Sequence, residues 1–270
     1  MIFIGTSGFS YEDWKGHFYP ADISKRDMLS YYAEHFPAVE INSTYYTVPG
    51  AAAFRSMVQR TPSDFKFAIK LHKDITHNET PDPDTCQYFI QAIDSVVSAG
   101  KLACVLAQFP WKFKPSSETI SRLYLLREWL RDIPVVVEFR NSAWVSIETF
   151  RLLREFDFGY CSVDEPELRD LMPRDAISTS KTGYVRFHGR NSHEWWKHEH
   201  AWQRYNYLYN EDELQEWVPK VEGLASSTEV TYLFFNNHYQ GKAAKNASML
   251  ASMLSLSFGK NINKQQSLFE

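Results

Sequence analysis

Glu40, Glu138, Asp164 and His188 can take or give a proton, and each lies at or near the end of a short β-forming run. Cations and polar groups accompany them at similar positions: Lys70, Arg140, Arg186 and Arg190, then Asn42, Gln108, Asn236 and His238. Side chains alternate faces along a strand, so Glu40 shares a side with Asn42, Glu138 with Arg140, Lys70 with His72, and Arg186 with His188 and Arg190. His188 or a carboxylate would serve as general acid or base. The arginines would grip phosphate or carboxylate through paired N–H groups. Glu40, Glu138, Asp164 and His188 could also hold a divalent metal. Lys70, Arg140 and Arg186 would already neutralise such a set, so no cofactor is firmly implied and a metal is the alternative. A desolvated Lys70 could form a Schiff base, although a lysine beside a carboxylate is more often its ion pair. No G-x-S-x-G, H-E-x-x-H or P-loop signature is present.

These residues need a frame that brings strand ends together. Eight β-rich runs (2–6, 39–42, 65–72, 102–109, 134–140, 158–164, 184–190 and 230–237) alternate with helical stretches (26–35, 52–60, 85–99, 118–131, 147–155, 211–221 and 243–256). Ser116 or Ser117 and Asn210 are start signals for two of the helices. The link between runs six and seven, with Pro166 and Pro173, reads as a loop. This rhythm predicts an α/β fold, a single (β/α)8 TIM barrel. An open doubly wound sheet would have fewer strands and a Gly-rich phosphate turn where this chain has Gly5-Thr6-Ser7-Gly8-Phe9. Barrel sites form at the C-terminal strand ends, so the polar residues are expected to project into the lumen there. Each buried ionic group costs several kcal/mol unless fully paired, and a barrel that only folds would use Val, Ile or Leu instead. The polar strand ends therefore predict a pocket. Tyr11 and Trp14 after the first run, and Tyr45 and Tyr46 after the second, would add aromatic walls able to stack on a base or a sugar face. Trp195 and Trp196, with Trp202 and Tyr205, lie in a long loop that reads as a lid.

Composition bounds the rest. The chain has 270 residues, 44% hydrophobic, 23% charged and 16% aromatic, with a net charge of −4. That is one large globular unit with a sizeable core. The negative balance argues against generic polyanion binding, though not against a local basic cleft. No run of eighteen apolar residues and no basic leader predict a cytoplasmic protein without membrane association. Cys86, Cys104 and Cys161 lack metal-type spacing and are expected to be reduced and buried.

Several blocks resemble the DUF72 (YecE-like) family. They are Gly5–Trp14 (GTSGFSYEDW), Val39–Tyr46 (VEINSTYY), Val137–Arg140 (VEFR), Val185–Arg190 (VRFHGR), Arg204–Tyr209 (RYNYLY) and Phe235–His238 (FNNH). The resemblance spans nearly the whole chain and implies a TIM barrel, without a settled activity. Ala143-Trp144 stands where that family usually has Ser-Trp, which removes one hydroxyl from this chain.

The barrel is expected over residues 1–258 and a flexible tail over 259–270. Gln265, Leu268 and Phe269 resemble the short peptide by which bacterial polymerases and repair proteins dock on the DNA sliding clamp. A polar anchor with two large apolar side chains is the logic of such recognition. Together these features predict an enzyme with a strand-end pocket for a phosphate-bearing, nucleic-acid-related substrate, recruited to the clamp. The alternatives are a lyase, isomerase or hydrolase of an anionic or sugar-like metabolite, or a non-catalytic ligand-binding barrel.

Overall fold

A computed structural model describes residues 1–257. Eight parallel strands close into a barrel in sequence order: β1 (Ile2–Ser7), β2 (Ala38–Ile41), β3 (Lys66–Lys70), β4 (Leu102–Gln108), β5 (Val135–Glu138), β6 (Phe158–Asp164), β7 (Thr182–Phe187) and β8 (Val230–Phe235). Helices follow every strand except β6, whose link to β7 is the Pro-containing loop. All eight predicted runs become strands, with ends that differ by up to three residues. The helix expected over 211–221 is instead two, Glu211–Gln215 and Val218–Ser226. Pro219 explains the break: it has no N–H to donate, and its ring meets the carbonyl of Gln215 four residues back. Ser116 caps its helix by accepting from Thr119 N, and Asn210 forms a capping box with Glu213. The three thiols are free and buried. Among the described residues no helix is long and apolar enough to cross a membrane.

The strand faces divide the core into two layers. Outward-facing Phe139 stacks on Trp144 at 4.3 Å, and Phe187 packs on Phe235 at 4.3 Å and Trp217 at 5.2 Å. Inside the barrel, Phe3, Tyr184, Tyr232 and Phe234 form a ring-filled floor, with centroids 5.3–5.4 Å apart for Tyr184–Phe234 and Phe3–Tyr232. The floor makes the barrel a packed core rather than a pore. Register then sets the height of what lies above, because Tyr184 aligns with Tyr232 and Arg186 with Phe234. His188 and Asn236 continue these two rows upward.

The β1–β2 seam contains a side chain. The Tyr32 hydroxyl accepts from Thr6 N (2.8 Å) and donates to Ala38 O (3.0 Å), splicing a phenol between the two strands. A Cβ at Gly5 would collide with the Ala38 carbonyl and with this hydroxyl. Gly5→Ala should therefore cost about 1–3 kcal/mol or more, as overpacking does. Gly223, exposed within its helix with open space around its Cα, should behave oppositely, and Gly223→Ala should add about 0.5–1 kcal/mol. Urea unfolding of the two variants measures both signs.

Candidate functional site

Above the aromatic floor lies a charge cluster that spans the lumen. Arg186 on β7 donates from one terminal nitrogen to Glu138 Oε2 on β5 (2.6 Å) and from the other to Glu40 Oε1 on β2 (2.7 Å). Tyr184 donates to the second Glu40 oxygen at 2.6 Å, and Asn42 donates to Glu40 Oε1 at 2.9 Å. Arg140 forms an ion pair with Glu138 through Nε and reaches Glu165 at 3.4 Å. Glu40, Glu138, Glu165 and His188 are fully buried, and Arg186 is 2% exposed. Burial opposes charge on Glu138, but Arg140 and Arg186 outweigh it and hold its carboxyl well below the usual range. Burial likewise opposes charge on Arg186, and Glu138 with Glu40 keeps it firmly protonated.

His188 sits at the same level. Its Nδ1 faces Asn236 Nδ2 at 3.1 Å and its Nε2 lies 3.3 Å from Glu138 Oε1. Burial and then Arg140 hold its pKa well below the usual histidine value, so the ring is neutral. An amide N–H can donate only to an unprotonated Nδ1, which assigns the proton to Nε2, facing the carboxylate.

The pocket opens above this cluster. It is a cavity of about 440 Å³ lined by Tyr11, Asn42, Tyr45, Tyr46, Lys70, Gln108, Arg140, Arg186, Trp202, Tyr205, Asn236 and His238. The acid–base candidates Glu40, Glu138 and His188 lie beneath that lining, and the surface is cations, amides and rings. Among the described residues Lys70 makes no ion pair with a carboxylate. It donates to Gln108 Oε1 at 2.8 Å and stands 4.3 Å over the Tyr45 ring. Burial and then Arg186 bring its pKa down to about 7. Tyr11 stacks on His238 at 4.7 Å and anchors its hydroxyl on Ser7 O. Trp202 and Tyr205 complete the wall from the long loop after β7, where Trp202 stacks on Tyr239 at 4.3 Å. Trp195 of the same loop is buried, and Trp196 is half exposed, edge-on to Trp111.

Three of the expected site residues stand elsewhere. Asp164 points away from the lumen, because Cys161, two strand positions from Val163, faces Glu138 across the interior. Its carboxylate accepts from Tyr209 Oη (2.7 Å), Trp217 Nε1 (2.7 Å) and Arg190 (2.7–3.1 Å) on the outer face. Arg190 is turned there by Gly189, whose φ of +90° reverses the alternation that would have sent it inward. Trp14 is fully buried and donates to His238 O at 2.6 Å, so it backs the wall without lining it. His72, paired in sequence with Lys70, instead accepts from Asp74 N at the start of a short helix.

The inward acid after β6 is Glu165, one residue beyond the predicted run. Burial pushes it up to about 7 against the pull of Arg140, and Met172 N donates to it at 2.9 Å. Counting alternation from Cys161 would have found it, as counting from Arg186 would have found Tyr184. With Asp164 outside and Glu40 and Glu138 both bound to Arg186, the four expected metal ligands do not converge. No group of three or more His, Cys, Asp or Glu among the described residues is placed to hold a metal ion. Gln265, Leu268 and Phe269 lie outside the described residues.

The outward placement of Asp164 has a measurable consequence. Asp164→Ala should destabilise the fold by about 2–4 kcal/mol, since it strands two buried donors and an arginine. The affinity of the pocket for its ligand should change less than about twofold in the folded fraction. Urea unfolding and anion titration of the same variant separate these effects.

Comparison with known proteins places this geometry among relatives. The family model described as "Protein of unknown function DUF72" matches residues 3–267. The chain is 29% identical over 286 residues to the UPF0759 protein YunF of Bacillus subtilis (strain 168), with 100% of both chains covered. A crystal structure of a DUF72 family protein from Thermotoga maritima is similar at a TM-score of 0.87 and 40% identity, over 94% of this chain and 99% of that one. One from Enterococcus faecalis is similar at 0.85 and 27% identity, over 96% and 97%. The family model's match over residues 3–267, together with these whole-chain likenesses, establishes that the chain, an eight-stranded barrel, belongs to the DUF72 family.

Proposed function

We propose that the barrel is an enzyme whose mouth binds a phosphate-bearing, nucleic-acid-related substrate, one nucleotide-sized unit at a time. The observation that carries this reading is the segregation of charge. The carboxylates Glu40 and Glu138 lie beneath Arg186 and Arg140, which pair with them and line the cavity beside Lys70, so a ligand meets cations rather than carboxylates. Arg186 Nε, Asn42 Oδ1 and His238 Nδ1 are buried lining atoms without a hydrogen-bond partner among the described residues. Buried polar atoms are normally satisfied, and a bound ligand would satisfy these. The rings of Tyr11, Tyr45, Trp202 and Tyr205 line the cavity and would pack against a base or a sugar. A cavity of about 440 Å³ has the volume of a small-ligand site and is too small for a duplex. That size favours, as the second reading, a lyase, isomerase or hydrolase of a free phosphorylated or sugar-like metabolite.

Sulfate is a suitable probe, because its charge is constant around neutrality. Calorimetric titration should show binding that weakens as salt rises. Affinity should also fall as pH rises past about 7, where Lys70 loses its proton and its attraction for an anion. Arg140→Gln should weaken binding roughly tenfold to hundredfold, the worth of one charge-assisted contact. Binding with no dependence on salt or on Arg140 would remove the anion site. Mononucleotides and single-stranded oligonucleotides that outcompete sulfate would favour the first reading, and sugar phosphates alone the second.

The net charge of −4 makes tight non-specific DNA binding unfavourable, so localisation is assigned to the tail. The intact chain should bind its host's sliding clamp at about micromolar Kd, an affinity typical of short peptides. The Leu268→Ala/Phe269→Ala double variant should lose that binding in the same calorimetric assay. Failure of the intact chain to bind would remove the clamp from the proposal.

A further inference from the structure

Lys70 stands out among the cations of the pocket. Arg140 and Arg186 are held by carboxylates, whereas among the described residues Lys70 makes one hydrogen bond, to a neutral amide oxygen. That amide cannot turn away, because Gln108 Nε2 donates to Phe109 O and fixes Oε1 toward the lysine. A carboxylate would demand an ammonium ion, but an amide oxygen accepts equally from a neutral amine. One N–H on Gln108 then leaves the lone pair of Nζ free. Lys101 supplies the contrast within the same molecule. It is more deeply buried than Lys70, and its Nζ donates to Val58 O, Thr61 O and Thr61 Oγ1 at 2.7–3.0 Å, the full complement of an ammonium. The groups facing Lys70 are Glu40 on β2, Glu138 and Arg140 from β5, Arg186 on β7, Tyr45 and His77. Burial and the two arginines disfavour its charge more than the two glutamates favour it.

We propose that Lys70 is the nucleophile of the pocket, its Nζ adding to the carbonyl carbon of a phosphorylated sugar whose phosphate is held by Arg140 and Arg186. The assignment rests on the anion-binding reading of the site and names its substrate class, a sugar with a free or ring-opened aldehyde. The Nζ lone pair forms the C–N bond while the carbonyl π pair moves to oxygen. That oxygen leaves as water, carrying one hydrogen from Nζ and one proton from solvent, and the product is an iminium cation. Tyr45, already under the Nζ, faces the new cation with the electron-rich side of its ring. The substrate chemistry has two sources, a free sugar phosphate or an exposed aldehyde sugar in a nucleic-acid strand.

Reductive trapping of the full-length protein tests the assignment. Cyanoborohydride delivers hydride to the iminium carbon and fixes a secondary amine that peptide mass mapping locates. The probes are glycolaldehyde, which is uncharged, glyceraldehyde 3-phosphate, and an oligonucleotide carrying an abasic sugar. At pH 7 an ordinary lysine is neutral in about one molecule in two thousand. Lys70 should therefore be marked at least ~10-fold faster than exposed Lys25, with a rate that reaches half its maximum near pH 7. Glyceraldehyde 3-phosphate or the oligonucleotide should react faster than glycolaldehyde, sulfate should protect, and the faster of those two identifies the source. Lys70→Arg, with its fold verified by circular dichroism, should carry no adduct at that position and none of the sulfate-protected fraction. Glycolaldehyde marking Lys70 without phosphate preference or sulfate protection would uphold the nucleophile and sink the anion site. Sulfate binding with Lys70 marked no faster than Lys25 would sink the nucleophile and leave the anion site standing.

Discussion

The double ion pair of Arg186 is the interaction on which the rest of the site depends. A guanidinium is the one cationic side chain rigid and wide enough to meet two carboxylates from different strands at once. Here it ties β7 to β2 and β5 through the middle of the barrel. Two glutamates brought this close with no cation would repel, and burial would protonate one of them. With Arg186 between them, and Arg140 above Glu138, the cluster is balanced where it is driest. Among the described residues, the lining cation left outside these ion pairs is Lys70.

This arrangement assigns different work to residues of the same type. Glu138 is held ionised by Arg140 and Arg186, and Glu40 shares Arg186 with it. Glu165, buried with a single distant arginine partner, sits near neutrality at about 7. Lys70, with no carboxylate partner among the described residues, does the same from the opposite sign. Environment separates these groups into fixed charges and titratable ones, and the titratable ones are those whose partners are amide groups or lone, distant cations.

Much of this was legible before the structure. Eight β-runs gave the barrel, and alternation within Val136–Arg140 and Tyr184–His188 placed Glu138, Arg140, Arg186 and His188 correctly on the inner face. One error comes from a place where alternation stops, at Gly189, and others from strand ends where the inward set was not counted. Gly189 turns Arg190 outward, and Asp164 ends its strand on the outer face, so a strand-end carboxylate became a support for Tyr209 and Trp217. Glu165 lies just past the strand, where a period-two count still holds but the β-propensity has faded into Pro166. The burial of Trp14 depends on contacts with Phe18, Tyr19 and the His238 carbonyl, which no local pattern announces. Lys70 was expected to meet a carboxylate, and only the three-dimensional placement of Gln108 shows otherwise.

The closure of β1 against β8 has a consequence for how such a chain comes off the ribosome. Residues 2–6 pair with 231–235, so the first strand made waits for the last before its second edge is covered. Glu40 waits almost as long, since its arginine lies 146 residues later. A nascent chain that has emerged only as far as β6 holds Glu40 and Glu138 without Arg186, and both carboxylates favour water over burial until it arrives. The two carboxylates thus gain the cation they share only once β7 has been made. Contacts of such long sequence separation form late and slowly. The incomplete barrel is the state in which this protein exposes unpaired strand edges, and the state in which a chaperone would find it.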